Sequence, residues 1–344
     1  MGTAITEILI KKEISIKDLQ GQILAVDTFN MLYQFISSIR QSDGTPLTDS
    51  KGRITSHLIG LFNRVTKLMT EGIKFIFVFD GEVPDLKKAE RERRKLAKLE
   101  AQAKYDAAKQ EENIEEMKKY ASRTSKLTSN MVDEAKELIR ALGMPIVDAP
   151  SEGEAQAAYI VSKGEAYAIV SQDADSLVFG APIVIKNLTI GGKKKMPGSY
   201  VYKNISPETL SLAENLNNLK ITNDQLIVLA MLVGTDYNIG GIKGIGPKKA
   251  LKLLETYKED YEKIFEEAKW NDNFDFEWKL VYDTIKNVKI TDDYDLTFEK
   301  IDTEKIIEIL VEKHDFSKER VDGTIAKLMK GMQPKTQKGL GDFF

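Results

Sequence analysis

Cysteine is absent from the chain, and there are only two histidines, His57 and His314. Without thiols there are no disulfides and no thiolate metal sites. Two imidazoles also argue against a histidine-built zinc centre. Any metal here must be held by oxygen, the preference of magnesium, manganese and calcium. No apolar run approaches the ~20 residues of a membrane span. The opening MGTAITEILIKKEI carries charges where a signal peptide needs an unbroken apolar stretch. The expectation is a soluble, intracellular protein with no membrane partner. Net positive charge is missing too: 50 Lys and Arg against 53 Asp and Glu give −3, unlike many nucleic-acid binders. The distribution is less even than the sum, because Lys87, Lys88, Arg91, Arg93, Arg94, Lys95 and Lys98 fall within twelve residues beside only Glu90 and Glu92.

The chain has 344 residues, more than the ~250–300 at which a single core stops growing. That suits one large domain with insertions, or two units. Three apolar, β-branched runs end in acid: QILAVDTF at Asp27, IKFIFVFDG at Asp80, and AYAIVSQDADS at Asp173 and Asp175. Such runs, separated by helical patterns, read as parallel strands buried on both faces. HLIGLFNRVTKLMTEG is a helix between the first two, closed by Gly72. MVDEAKELIRALG is another, leading into a short fourth strand, MPIVDAP. The fold class expected is α/β, a central mostly parallel sheet flanked by helices, whose ligands gather beyond the carboxyl ends of the strands. The acids stand at those ends.

Residues 85–130 depart from this pattern, being helical in propensity yet nearly devoid of large apolar side chains. A helix polar all round is exposed, bridging, or ordered by a partner. Placed directly after Asp80, it reads as a substrate-handling insertion. The stretch 183–203, IVIKNLTI, GGKKKMPG and SYVY, reads as a hairpin with a basic tip. An apolar helix over 222–235 precedes a Gly-rich turn that opens a second helix, and the last residues, GMQPKTQKGLGDFF, form a tail without core periodicity.

Seven carboxylates carry the chemistry: Asp27, Asp80, Glu152, Glu154, Asp173, Asp175 and Asp236. Singly, each has an ordinary explanation: Asp27 as a helix cap, Asp80–Gly81 as a turn, and Ser151 to Glu154 as a capping box. Asp173 and Asp175 could form an Asx-turn. Together those explanations fail, because clustered carboxylates cannot all ionise without compensation. A pair of divalent cations resolves the crowding; magnesium prefers about six oxygens including waters, so seven acids could serve two ions. Two ions ~3.5–4 Å apart suit phosphodiester hydrolysis. The turn Gly241-Ile-Lys243-Gly244-Ile-Gly246-Pro-Lys248-Lys249-Ala250 resembles the hairpin of helix–hairpin–helix DNA-binding modules, in which backbone N–H groups and a helix N-terminus face a phosphate. Lys87 and Arg94, seven residues apart, lie two turns along one helix face, from which both could neutralise transition-state charge.

The segments AVDTFNMLYQF, FVFDGEVPDLKK, DAPSEGEAQAAY, SQDADSLVFG, LVGTDYNIGGIKGIGPKKA, HDFSKERV and QKGLGDFF resemble, in the same order, those of archaeal flap endonucleases, relatives of the XPG-type 5′ nucleases. The resemblance covers essentially the whole chain. It implies a 5′ flap endonuclease and 5′–3′ exonuclease acting on flap and nicked DNA in Okazaki-fragment maturation and repair. Such an enzyme uses two magnesium ions, with manganese as substitute. Asp80, Glu152 and Glu154, with Asp27 through water, match one ion's ligands; Asp173, Asp175 and Asp236 match the other's. Lys87 and Arg94 match the catalytic cations, while Gly2, Tyr33 and Arg40 match DNA contacts. Residues 1–330 correspond to the nuclease domain, 85–130 to a helical arch and cap, and 222–260 to a helix–two-turn–helix element with a potassium ion. Residues 331–344 correspond to a tail whose segment 337–344, with Gln337, Leu340, Phe343 and Phe344, matches the peptide docking on PCNA-type sliding clamps. Leu340 and Phe343 are three apart, a spacing that one 3₁₀ turn would put on one side. The resemblance further implies a cytoplasmic, nucleoid-associated monomer apart from its clamp complex. A haloacid-dehalogenase-like phosphatase would explain Asp173 and Asp175 alone, and a non-catalytic junction binder or clamp adaptor the basic elements alone.

Overall fold

The computed structural model describes residues 4–190, 192–195 and 202–332. Its strands are β1 (Lys12–Glu13), β2 (Ile23–Asp27), β3 (Lys74–Phe79), β4 (Ile146–Asp148), β5 (Ala168–Val170), β6 (Ile183–Lys186), β7 (Gly192–Lys195), β8 (Tyr202–Ile205) and β9 (Glu208–Ser211). Seven form one sheet in the order β1-β9-β6-β5-β2-β3-β4. Pairing is parallel from β6 through β4 and antiparallel at β9 and β1, so the sheet is mixed and mostly parallel, as the sequence implies.

Side chains of the central strands alternate between two hydrophobic clusters, one on each face. Ile76 and Val78 of β3 enter the first with Ala25 of β2, while Phe75, Phe77 and Phe79 enter the second with Leu24 and Val26. That is the two-residue period of a strand, and burial on both faces explains the unbroken apolar runs. The second face is covered by the continuous helix 56–70, ended by Gly72 at φ +85°, and by helix Ser129–Ala141. The helix Asn223–Val233 is buried at every position from Gln225 to Leu232, as a helix hydrophobic all round must be.

Both histidines serve this packing. His57 Nε2 lies 3.1 Å from Glu134 Oε2, and His314 Nε2 lies 3.4 Å from Glu134 Oε1. Burial holds His314 below the ordinary imidazole range, against the pull of Glu134.

The expected hairpin over 183–203 is corrected. Ile183–Lys186 joins the main sheet between β5 and β9, and the two-stranded unit is instead β7 with β8. Lys193, Lys194 and Lys195 therefore belong to a strand and not to a turn. A buried apolar run does not name its partner, and β9 takes the pairing edge of β6.

Residues 85–130 form helices Lys88–Gln110 and Ile114–Ala121. The longer one is not polar on every side: Ala101 and Ala108 are buried, as are Met117 and Ala121 of the shorter. Leu96 and Leu99 remain exposed, and Lys98 Nζ stands 4.8 Å from the centre of the half-exposed Tyr33 ring.

Candidate active site

Four neighbouring strands deliver the acids to one end of the sheet. Asp27 closes β2, Asp80 follows β3, and Glu152 and Glu154 follow β4 around the start of helix Gly153–Ser162. Asp173 and Asp175 follow β5. Asp236 comes from the loop after helix Asn223–Val233. Asp27 is buried, Asp80 keeps a side open to solvent, and the other five are half-buried.

Polar and small neighbours fix these carboxylates. Asp27 Oδ1 accepts from Asn30 N at 3.1 Å, so the cap reading and the site reading both hold for this residue. Asn30 Nδ2 donates to Asp173 Oδ2 at 3.1 Å. Ser171 Oγ donates to Glu154 Oε1 at 3.1 Å, as does Ser176 Oγ at 3.0 Å. Asp80 Oδ1 accepts from Gly153 N at 2.6 Å. A Cβ on Gly153 would stand 2.7 Å from that oxygen, so only glycine lets the carboxylate reach the helix N-terminus. The alternative reading of Ser151 to Glu154 as a capping box does not hold: Glu152 occupies the cap position, which leaves Glu154 to the cluster. The loop bearing Asp236 is held by Asn238, whose Nδ2 donates to Met231 O at 2.7 Å, and by Thr235 Oγ1 donating to Asn238 Oδ1 at 2.6 Å. The same loop closes through Gly234 and Gly241, where an added Cβ would strike backbone at 2.6 and 2.3 Å.

The cations from the following insertion meet this cluster. Lys87 Nζ donates to Glu152 Oε2 at 2.7 Å, lies 4.0 Å from Asp236 Oδ2, and sits 4.8 Å from the Tyr237 ring centre. Arg94 Nη2 reaches both oxygens of Asp236 at 2.7 Å. A small cleft is lined by Lys87, Glu154, Asp175, Thr235, Asp236 and Tyr237.

Electrostatics ties the acids together. Burial, then Asp80 and Asp173, pushes Asp27 upward against its hydrogen bonds. Burial, then Asp27, Asp175 and Asp173, holds Glu154 well above the carboxylate range. Burial raises Asp80, joined by Glu152 and opposed by Gly153 N–H and Lys87. Burial works against the charge on Lys87, but Glu152, Asp236 and Glu154 together raise it. Among the described residues no three acids or histidines form a group already shaped to hold an ion. Lys87, Arg94 and Gly153 N–H engage the oxygens of Glu152, Asp236 and Asp80 instead. The donor set nonetheless fits hard divalent cations, being all oxygen and carrying buried negative charge that its own lysine and arginine only partly offset.

The nucleic-acid candidates sit on other segments than the seven acids. Lys243, Gly244 and Gly246 occupy the exposed turn before helix Pro247–Tyr257, and the exposed Lys248 and Lys249 lie in the first turn of that helix. Gly244 has φ +80°, and a Cβ on it or on Gly246 would meet open space. Lys249 Nζ donates to Gly244 O at 2.8 Å. Arg40 is turned inward, donating to Gly44 O at 3.0 Å, Ser37 O at 3.2 Å and Ser125 Oγ at 2.6 Å. Gly2, Gln337, Leu340, Phe343 and Phe344 lie outside the described residues.

The XPG N-terminal domain matches residues 3–101 and the XPG I-region residues 143–236. These spans contain all seven acids and both cations. Flap endonuclease 1 of Pyrococcus abyssi is 49% identical over 344 residues, which is 100% of this chain and 98% of the relative. The chain belongs to the flap endonuclease family. This flap endonuclease chain is also similar to the solved flap endonuclease-1 of Methanococcus jannaschii, at 40% identity, TM-score 0.74, and coverage of 96% of this chain and 98% of the other. The catalytic core of Rad2 in complex with DNA substrate shares the fold at 23% identity and TM-score 0.70, covering 95% of this chain and all of that one. Family membership makes the chain a nuclease. Among its described residues no helix is long and apolar enough to cross a membrane.

Asn30, Ser171, Ser176, Gly153 and Tyr237 were not singled out from sequence. Small and polar residues leave no periodic trace, although their closeness in sequence to Asp27, Asp173, Glu152 and Asp236 is a usable signal.

Proposed function

We propose that this nuclease is a 5′ flap endonuclease and 5′–3′ exonuclease, hydrolysing DNA phosphodiesters at junctions of single- and double-stranded DNA. The observation that carries the reading is the meeting of Lys87 and Arg94, from the base of the 85–130 insertion, with Glu152 and Asp236 of the acid cluster. A phosphate entering that space passes between cations and carboxylates. Asp80, Glu152, Glu154 and, less directly, Asp27 would hold one divalent ion, and Asp173, Asp175 and Asp236 a second. When bound, two such ions supply an activated water and stabilise the leaving oxygen. With those acids engaged, Lys87 and Arg94 exchange carboxylate for phosphate oxygen and stabilise charge developing there. The reading is tested with flap, nicked and blunt duplex DNA, first with magnesium and then with excess chelator. Cleavage of flap and nick substrates confined to the magnesium arm is expected; undiminished cleavage in chelator would sink it.

Residues 85–130 would form the arch over the single-stranded flap, with Tyr33 stacking a base and Arg40 contacting DNA. Residues 222–260 would grip the duplex through the open backbone at Gly244 and Gly246. A potassium ion would belong to the same turn, in which the Gly244 carbonyl accepts from Lys249 Nζ. Gly246 has φ −99°, so Gly246→Leu is expected to melt as the parent does. The added side chain obstructs phosphate approach, and flap-DNA binding should weaken several-fold. Affinity of the parent should fall steeply with salt, as counterion release requires; a flat salt dependence contradicts a phosphate-dominated interface.

Gln337, Leu340, Phe343 and Phe344 would dock the enzyme on a ring-shaped PCNA-type clamp during Okazaki-fragment maturation and repair. Two aromatic anchors dominate so small an interface, and replacing both Phe343 and Phe344 by Ala should cost at least ~2 kcal/mol in clamp affinity. Clamp stimulation should vanish while clamp-free cleavage stays near parent level. Calorimetry with purified clamp decides the first half, and parallel cleavage assays the second.

A further inference from the structure

Glu90 stands one turn into the insertion and is 3% exposed, against the exposure of most charged residues around it. A buried carboxylate is costly unless paired, and this one is paired twice. Arg93 forks onto it, Nε to Oε2 and Nη2 to Oε1, both at 2.7 Å. Arg94 Nε donates to Oε1 at 2.6 Å. Hydrogen bonds from Arg93, opposed by burial and helped by Arg94, keep Glu90 below the ordinary carboxylate range.

The guanidinium of Arg94 is therefore clasped at two edges, Nε by Glu90 and Nη2 by Asp236. Only one clasp survives if Asp236 turns to another partner. An unheld arginine on an exposed helix face spreads over many rotamers. A planar fork fixed along its Nε edge instead presents its Nη edge in one direction.

We propose that Glu90 is a positioning residue for the reaction, holding Arg94 by its Nε edge so that the Nη edge stays aimed at the reacting phosphate when Asp236 is engaged elsewhere. This rests on the role given to Arg94 above. Glu90 is not one of the seven acids, and its carboxylate accepts from Arg93 and Arg94. Its partner Arg93 grips both carboxylate oxygens, Oε2 alone and Oε1 together with Arg94, and so fixes the carboxylate that holds Arg94.

The test uses full-length enzyme with magnesium and flap DNA, comparing Glu90→Gln, Arg94→Ala and the double variant in single-turnover and equilibrium-binding experiments. Glu90→Gln should slow the saturated single-turnover rate by about 10- to 100-fold, the scale of a misplaced catalytic group, with the dissociation constant within about twofold of the parent because the phosphate grip lies elsewhere. The double variant should be no slower than Arg94→Ala alone. A loss confined to affinity, or losses that multiply in the double variant, overturns the positioning role. Arg94→Ala with a parent-like saturated rate would instead bring down the underlying role of Arg94. A slow Arg94→Ala with a parent-like Glu90→Gln removes only the present inference. If Glu90→Gln melts early, Glu90→Asp takes its place. Its carboxylate keeps the charge but is one methylene too short to serve both arginines, so the same split at about threefold is expected, and an unchanged saturated rate overturns the assignment.

Discussion

Replacing Asp80 by Ala should lower flap cleavage by about 10³-fold or more, the upper end for loss of one charge-stabilising group, while flap-DNA affinity stays within a few-fold of the parent. Asp173→Ala should behave the same way. The separation follows from the roles proposed above: the acids hold the ions, whereas the turn at Gly244 and Gly246 grips the duplex. Asp80 also anchors Gly153 N–H, so Ala alone would confuse a structural loss with a chemical one. Asp80→Asn resolves this. The amide keeps an oxygen for Gly153 but loses the charge and most affinity for a divalent ion. Both variants should be inactive if the carboxylate serves the ions; an active Asn variant would leave Asp80 only its helix contact. Single-turnover cleavage over a magnesium titration, paired with fluorescence-anisotropy binding, reads both quantities.

Lys87→Ala should slow the saturated single-turnover rate by about 10²-fold or more. Lys87 is the more enclosed of the two cations, its side chain 16% exposed against 43% for Arg94. A charge in so sheltered a place acts more strongly than one in water. Affinity should change far less, since the duplex grip does not depend on this side chain. Arg94→Ala belongs to the same class. Collapse of affinity with an unchanged saturated rate would reduce these residues to simple phosphate contacts.

The parts of the fold that could be read from sequence are those where one physical rule acts alone. β2, β3 and β5 are buried on both faces, so their runs carry no polar interruption and end sharply at Asp27, Asp80 and Ser171. The helix Asn223–Val233 is equally plain. β1, of two residues, is exposed, and β9, of four, buries only Leu210, so neither has a pattern to find. The misread hairpin shows the same limit, because Ile183–Lys186 carries a strand pattern but nothing in it names β5 and β9 as neighbours. At the site, charge made Asp27, Asp80, Glu152, Glu154, Asp173, Asp175 and Asp236 visible as strand-end acids. Their coupling was visible only as an argument about crowding until Asp27, Asp80 and Glu154 were seen to be raised by burial and by one another. Glu90 looked like one more charge on a solvated helix. Its three- and four-residue spacing to Arg93 and Arg94 is a helix-pair signal, but spacing does not reveal burial.

The pairing of β1 with β9 and the seating of helix Lys318–Met332 on the segment 66–70 have a bearing on how the protein is made. Lys12 pairs with Thr209, and Gly331 lies against Thr70, where a Cβ would stand 3.0 Å from its Cα. Leu68 and Met69 share a cluster with Ile325 and Leu328, residues synthesised some 250 positions later. Contacts so distant along the chain slow folding, because loop closure precedes the reward of packing. A nascent chain halted before residue 318 would already possess all seven acids and both cations. It would still show the ribosome's surroundings an uncovered greasy helix face, the kind of intermediate that chaperones capture. The residues of the candidate site are thus all synthesised before the helix that covers Leu68 and Met69.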